Sequence, residues 1–518
     1  MAITLTAEPS SITPSKNPVR FAFSTNNYIS SAGVAAVNKF AVTGAVSAFE
    51  TIRFVYGDQD FTITAVNSPS AATGYNMPTG DGGTTHKGTM LLYFLANYYL
   101  NRDFEITLVG NDFIFTAREV GTDYTIAGTD TFANGSWTVD TSGVDLSYNE
   151  NFFIQVDVYV EETHLSGNYT RLFSRYLKPD ADQTAEIDIA DQLHGFIRNQ
   201  IQPPSYNQTA YSNPTNNNKR YYITYNESYG STPIPYAVTS SAVKRVVKGG
   251  VKRELWPSYS SNFRTLYLGL PTGGNAGKFF TTRNTKGRTV TTTQHEYLYF
   301  CPASAISNAR LRARVYYSDG SNTTTTVASY SILGMGLTYI LPAGFTQLGL
   351  GLLYPALTPV RYYVWIDNTS GIQKAETVCF EIQDATALDR FFLYENSIGA
   401  GWETLRTQGQ AEYGVEVNKE ELELMPGLTY SATDSDIVSS DSMYREGTEV
   451  FTGFKTKAQI IELIDFINSK YCFEIVGGKH VPVLIDKGSF SIHRDDNYAY
   501  GLKFVYRPAY NQVNAGFR

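Results

Sequence analysis

Phe152-Phe153-Ile154-Gln155-Val156-Asp157-Val158-Tyr159-Val160 is strand material, because aromatic and β-branched residues dominate it and suit a pleated, half-buried surface. Similar stretches lie on both sides of it. Upstream, Ile52-Arg53-Phe54-Val55-Tyr56 alternates and turns through Gly57-Asp58-Gln59-Asp60 into Phe61-Thr62-Ile63-Thr64-Ala65, which predicts a hairpin. A second hairpin sets Ile106 and Leu108 against Phe115 and Phe113 across the two-residue turn Gly110-Asn111. Between them, from about His86 to Arg102, Leu91, Phe94, Leu95 and Tyr98 recur at helical spacing and predict one helix packed on the sheet.

Downstream, Ile187 and Ile189 alternate, and Asp188 or Asp191 is placed to cap a short helix through Ile197. The polar, Pro/Asn-rich run 202–218 reads as a long surface loop, an arm that could reach a neighbour. Leu311, Ala313 and Val315 share a strand face, and Tyr362-Tyr363-Val364-Trp365-Ile366 and Thr377-Val378-Cys379-Phe380-Glu381-Ile382 are further strands, a spacing that suggests a sandwich. Thr456 and Gln459 form a capping-box pattern before Ile460, Leu463, Ile464 and Ile467. A meander follows through 473–476, the turn Gly477-Gly478, 481–485, 489–493 and 502–506, with Pro482 pointing to an edge strand. The fold class expected is mainly β with minor α. Four domains are expected: an α+β domain at 1–147, a β domain at 148–255, a sandwich-like domain at 256–385 and an α+β domain at 386–518.

At 518 residues the chain is too long for one core, and 42% hydrophobic residues suffice for well-packed interiors. Aromatics reach 14% while charged residues stop at 17%, which favours sheets and tyrosine-rich contact surfaces. The net charge of −8 offers no positive field for nucleic acid, so no nucleic-acid partner is expected. Cys301, Cys379 and Cys472 are distant and odd in number, so they read as isolated core thiols and not as a disulfide framework or zinc site. The opening Met-Ala-Ile-Thr-Leu-Thr carries no export signal, and no apolar run is long enough for a membrane span. Synthesis and assembly in a reducing cytoplasm are therefore expected, without stable membrane insertion.

Catalytic patterns are sparse. The six histidines, His86, His164, His194, His295, His480 and His493, lack metal-ligand spacing, although His480 and His493 could approach within the last meander. Gly273-Gly274-Asn275-Ala276-Gly277-Lys278 fails the P-loop pattern at Thr272 and Phe279 and reads as a flexible turn. Glu416, Glu420, Glu421 and Glu423 are the densest acidic cluster, read as a solvated edge, or as the carboxylates a polysaccharide hydrolase would need. Lys244, Arg245, Lys248, Lys252 and Arg253, interleaved with valines around Gly249-Gly250, predict either a hairpin that blunts a sheet edge or a dock for an acidic neighbouring subunit. Tyr221, Tyr222 and Tyr225 are expected as aromatic anchors of that contact.

Several phrases carry a resemblance: 17–21 (Asn-Pro-Val-Arg-Phe), 115–124, 156–160 leading to 187–191, and 390–404. In these the chain resembles tail and baseplate structural proteins of tailed bacteriophages that infect Bacteroidetes. The resemblance implies a non-enzymatic virion protein of the distal tail, made in the host cytoplasm, whose partners are copies of itself and other phage tail proteins. It supplies no catalytic residues and no cofactor. Obligate interfaces of that kind bury on the order of 2,000 Å² or more. Two alternatives are a tail-tip protein that binds a host surface glycan or receptor, and a polysaccharide hydrolase.

Overall fold

The computed structural model describes residues 3–69, 75–197, 203–206, 208–213, 217–269, 277–398, 401–425, 429, 431, 433, 435–486 and 501–509. The chain is mainly β, with 50% strand and 11% helix, distributed over several sheets.

The first core lies between a four-stranded and a five-stranded sheet. Both expected hairpins are present, Thr51–Tyr56 with Gln59–Val66 and Phe104–Val109 with Asp112–Val120, and in the second Leu108 faces Phe113 and Ile106 faces Phe115. Gly110, at φ +63°, supplies the left-handed backbone that the tight turn needs. Phe54 sits at the centre, with the rings of Phe61, Phe94, Phe115 and Trp137 at 5.3–6.1 Å. The single helix expected from His86 to Arg102 is two, Thr84–Ala96 and Tyr98–Asp103. Asn97 divides them, because its side chain accepts hydrogen bonds from the Tyr99 and Leu100 amides and starts a new helix. The buried stripe becomes Met90, Phe94 and Leu100, whereas Leu95 and Tyr98 are exposed.

The second core differs from the expected boundary at 147. The opening strands Ile3–Ala7 and Arg20–Thr25 pair with Thr184–Asp188, and Ile12–Pro14 pairs in parallel with Lys244–Val247. Apolar side chains such as Val19, Phe21 and Phe23 therefore pack against Ile154, Val156, Val158 and Ile223. Facing them is the sheet Tyr169–Leu177, Phe153–Glu161, Asn218–Tyr229, Lys244–Val247 and Ile12–Pro14. Asp188 accepts the Ala190 amide at 3.0 Å, at the start of the helix Ala190–Ile197.

The third core is a sandwich. Lys286–Val290, Val378–Ile382, Pro359–Asn368, Ile306–Tyr317 and Asn322–Leu333 form one sheet, and Lys278–Phe279, Tyr297–Cys301 and Tyr339–Pro342 form the other. Leu311, Ala313 and Val315 point inward as expected. Tyr297–Cys301 is buried on both faces: Leu298 and Phe300 enter the sandwich, while Tyr297, Tyr299 and Cys301 enter a junction core with Ile12, Val247, Leu393 and Trp402. Charges buried at this junction are hydrogen-bonded or set beside an opposite charge, as burial demands. Glu403 accepts hydrogen bonds from Thr281, Thr282 and Tyr394, and Arg283 lies 3.6 Å from Glu296.

The last sheet runs in the order Trp402–Thr407, Arg390–Glu395, Cys472–Val476, Lys479–Ile485, Lys503–Pro508, Ile437–Phe451 and Glu412–Glu423. The capping box at Thr456 and Gln459 is formed. Pro482 does not mark an edge. Its strand pairs on both sides, and Pro482 sits near the ladder's end, where its carbonyl accepts the Ala509 amide at 2.9 Å. The expected strand at 489–493, His493 and the glycine turn at 273–276 lie outside the described residues.

Candidate functional site

The expected basic cluster does not form an edge hairpin. Lys244–Val247 is an interior strand, hydrogen-bonded to Asn218–Tyr229 on one side and Ile12–Pro14 on the other. Alternation along it buries Lys244, whose ammonium pairs with Glu8 at 3.1 Å, and half-buries Arg245, which donates to Asn218. Lys248 is buried and pairs with Glu395 at 2.8 Å, while the Gly250 amide donates to the Ser397 carbonyl. The acidic groups that this cluster meets belong to the chain itself, Glu8 in its opening segment and Glu395 in its last sheet. Only Lys252 and Arg253 of the five are exposed.

The tyrosines divide by strand parity. Tyr221 and Tyr225 pair with Val160 and Val156 and point into the second core, so neither is available as a surface anchor. Tyr222 points the other way and is half-buried. Its ring stacks on Tyr159 at 5.0 Å and meets the edge of Tyr169 at 5.0 Å, forming an aromatic patch on the sheet's outer face.

The described parts of the 202–218 loop lie against their own chain. Tyr206 stacks on His295 at 4.2 Å, with His480 on its other side at 6.2 Å; Tyr211 packs on Tyr330; and Ser212 bridges to Ile340. His480 thus has Tyr206 beside it. Burial holds the imidazoles of His295 and His480 below their ordinary value, with the charge of His295 adding to the effect at His480.

Sequence reading missed the most exposed apolar feature. Glu412–Glu423 and Ile437–Phe451 form a long antiparallel hairpin at the end of the last sheet. The face that carries buried Val450 and Phe504 near the body carries Tyr413, Val415 and Val417 farther out, 71%, 61% and 51% exposed. Toward the tip Ile437 and a Met425 that is 97% exposed follow, while Leu422 and Leu424 are exposed on the opposite face. Alternation of Tyr413, Val415 and Val417 with polar residues is the period-two signal that could have identified the strand, but the glutamates make the stretch read as a solvated loop. Glu420 stands on one face of this exposed strand and Glu421 and Glu423 on the other, and not around a pocket; the side chain of Glu416 is outside the described residues. Beside the hairpin's base a cleft of about 1040 Å³ is lined by Glu412, Glu446, Glu449 and Asp486. There Glu449 is tied to Lys503 at 2.6 Å and Asp486 to Arg507 at 3.0 Å.

Among the described residues no three His, Cys, Asp or Glu side chains converge as a metal site requires, and no helix is long and apolar enough to cross a membrane. No family model and no curated protein matches the chain.

Proposed function

We propose that this chain is a structural subunit of a bacteriophage tail or baseplate, acting by assembly with copies of itself and neighbouring tail proteins and not by catalysis. The observation that carries the assembly part is the projecting hairpin. Soluble chains rarely leave a long edge strand exposed with a run of apolar side chains along one face, because such an edge recruits another strand. Tyr413, Val415, Val417 and the Leu422–Met425 tip are the surface that a neighbouring subunit would cover. The resemblance of residues 17–21, 115–124 and 390–404 to tail proteins supplies the phage context.

Electron cryomicroscopy of particles that contain the chain tests the reading. Density for the chain in a symmetric ring or layer of the tail is expected, with the hairpin against a neighbour. Particles from which the chain is absent, or an isolated monomer with turnover of a polysaccharide, would refute it. A second reading, glycan binding at a tail tip, draws on exposed aromatic surface: Tyr236, exposed, stacks on Tyr229 at 4.6 Å, and Tyr176, also exposed, packs on Phe153 at 4.8 Å. Binding of the isolated chain on a glycan array, lost on Tyr236→Ala, would favour it.

A further inference from the structure

Several strands of this chain end their sheets with long backbone edges that pair with no strand among the described residues, and two of them are charged. Glu412–Glu423 ends the last sheet, and Tyr169–Leu177 ends the sheet of the second core. Their charges are opposite. The first carries exposed Glu412, Glu420, Glu421 and Glu423 against one lysine, Lys419. The second carries exposed Arg171 and Arg175, followed directly by exposed Lys178, with no carboxylate in the strand. Of the strands that end a sheet among the described residues, Tyr169–Leu177 alone has two exposed arginines and no acid. The long edge Asn322–Leu333 is uncharged, and in Lys286–Val290 the one arginine is buried.

Resting on the assembly reading above, we infer that copies of this chain join head to tail, the acidic edge Glu412–Glu423 of one pairing with the basic edge Tyr169–Leu177 of the next. The geometry of the two edges is compatible. Each is extended, of twelve and nine residues, and each bears its charges on both faces. On the basic strand an irregularity in pairing, where Val158 faces Phe173 but Tyr159 faces Arg171, turns Arg171 to the side opposite Arg175. On the acidic strand adjacent Glu420 and Glu421 alternate. Apolar contact would come from Val415, Val417 and the tip on one copy, and from Tyr176 and the Tyr159–Tyr222–Tyr169 patch on the other. Main-chain hydrogen bonds of an added strand supply affinity, and the opposed charges select partner and register. Because the two edges are different surfaces, the contact is heterologous and generates a ring or an open filament, not a closed dimer.

Sedimentation velocity of the full chain over micromolar to millimolar concentration tests this. Wild type is expected to associate, and the association to weaken with added salt. The double variants R171E/R175E and E421K/E423K should each weaken it at least tenfold. Mixing the two variants should restore it, since the reversed edge of one then complements the reversed arm of the other; this recovery also shows that both are folded. If wild type associates and neither variant changes it, the pairing is wrong while assembly stands. If wild type remains a monomer to millimolar concentration, self-pairing is overturned, and the particle imaging above decides the assembly reading separately.

Discussion

Glu161 closes the strand Phe153–Glu161, and its replacement by glutamine gives the sharpest test of the packing around the basic edge. Its side chain is fully buried. Arg220 donates to Oε1 through Nε at 2.8 Å and also through Nη2, and the Gly167 amide donates at 3.2 Å, which fixes the turn leading into Tyr169–Leu177. Burial pushes the carboxyl up, but the hydrogen bonds from Arg220 and Gly167 outweigh it and hold it at about 2. A glutamate in the unfolded chain titrates near ~4.3. The folded value is the lower one, so the carboxylate's stabilisation is present above that pH and is lost as pH falls toward 2. A quarter of the Arg220 side chain is exposed and screens the pair, which leaves about 2–3 kcal/mol at neutral pH. Urea denaturation followed by circular dichroism should therefore show Glu161→Gln less stable than wild type by that amount at pH 6, with the gap closing between pH 4.5 and 2. Other carboxylates titrate alike in both proteins and cancel in the difference. A gap that stays constant down to pH 2.5 would refute the assigned role of the Arg220 pair.

Phe54→Ala should destabilise the first core by about 3–5 kcal/mol, read as a lowered melting temperature of the transition reported by Trp137; a loss under 1 kcal/mol would mean that the Phe61, Phe94, Phe115 and Trp137 contacts do not form. Cys301, Cys379 and Cys472 are buried, and burial pushes the Cys301 thiol up to about 12, so native protein should not react with a thiol reagent while denatured protein exposes all three. The Tyr206 contact should loosen in acid: the imidazoles of His295 and His480 are held neutral by burial, so docking of residues 203–206 is complete above about pH 6.5 and is lost as pH falls below it. Limited proteolysis from pH 7.5 to 5 measures this, and equal protection throughout would rule the mechanism out.

Local physics made much of the fold readable in advance. Turn chemistry gave the hairpin at Gly110–Asn111 its register, the Thr456–Gln459 pair its helix start, and alternation at Leu311, Ala313 and Val315 the inner face of the sandwich. What escaped was set by distant partners. Nothing local to Ile12 or Phe21 announces pairing with residues near 185 and 246. The lysines of 244–248 look like edge guards until Glu8 and Glu395, far away in the chain, are seen to neutralise them. Tyr221 and Tyr222 differ only in parity, and parity is fixed by which face the sheet buries. The acidic hairpin escaped for the opposite reason, since its exposed apolar residues cover no core among the described residues.

The strand order of the second core also has a consequence in time. Arg20–Thr25 leaves the ribosome well before Thr184–Asp188, which completes its sheet, and Ile12–Pro14 well before its partner Lys244–Val247. At ~5–20 residues per second the wait is on the order of ten to forty seconds. Phe21 and Phe23 stay uncovered for that interval, so a nascent chain stalled before residue 184 should recruit chaperones that one stalled after residue 260 does not.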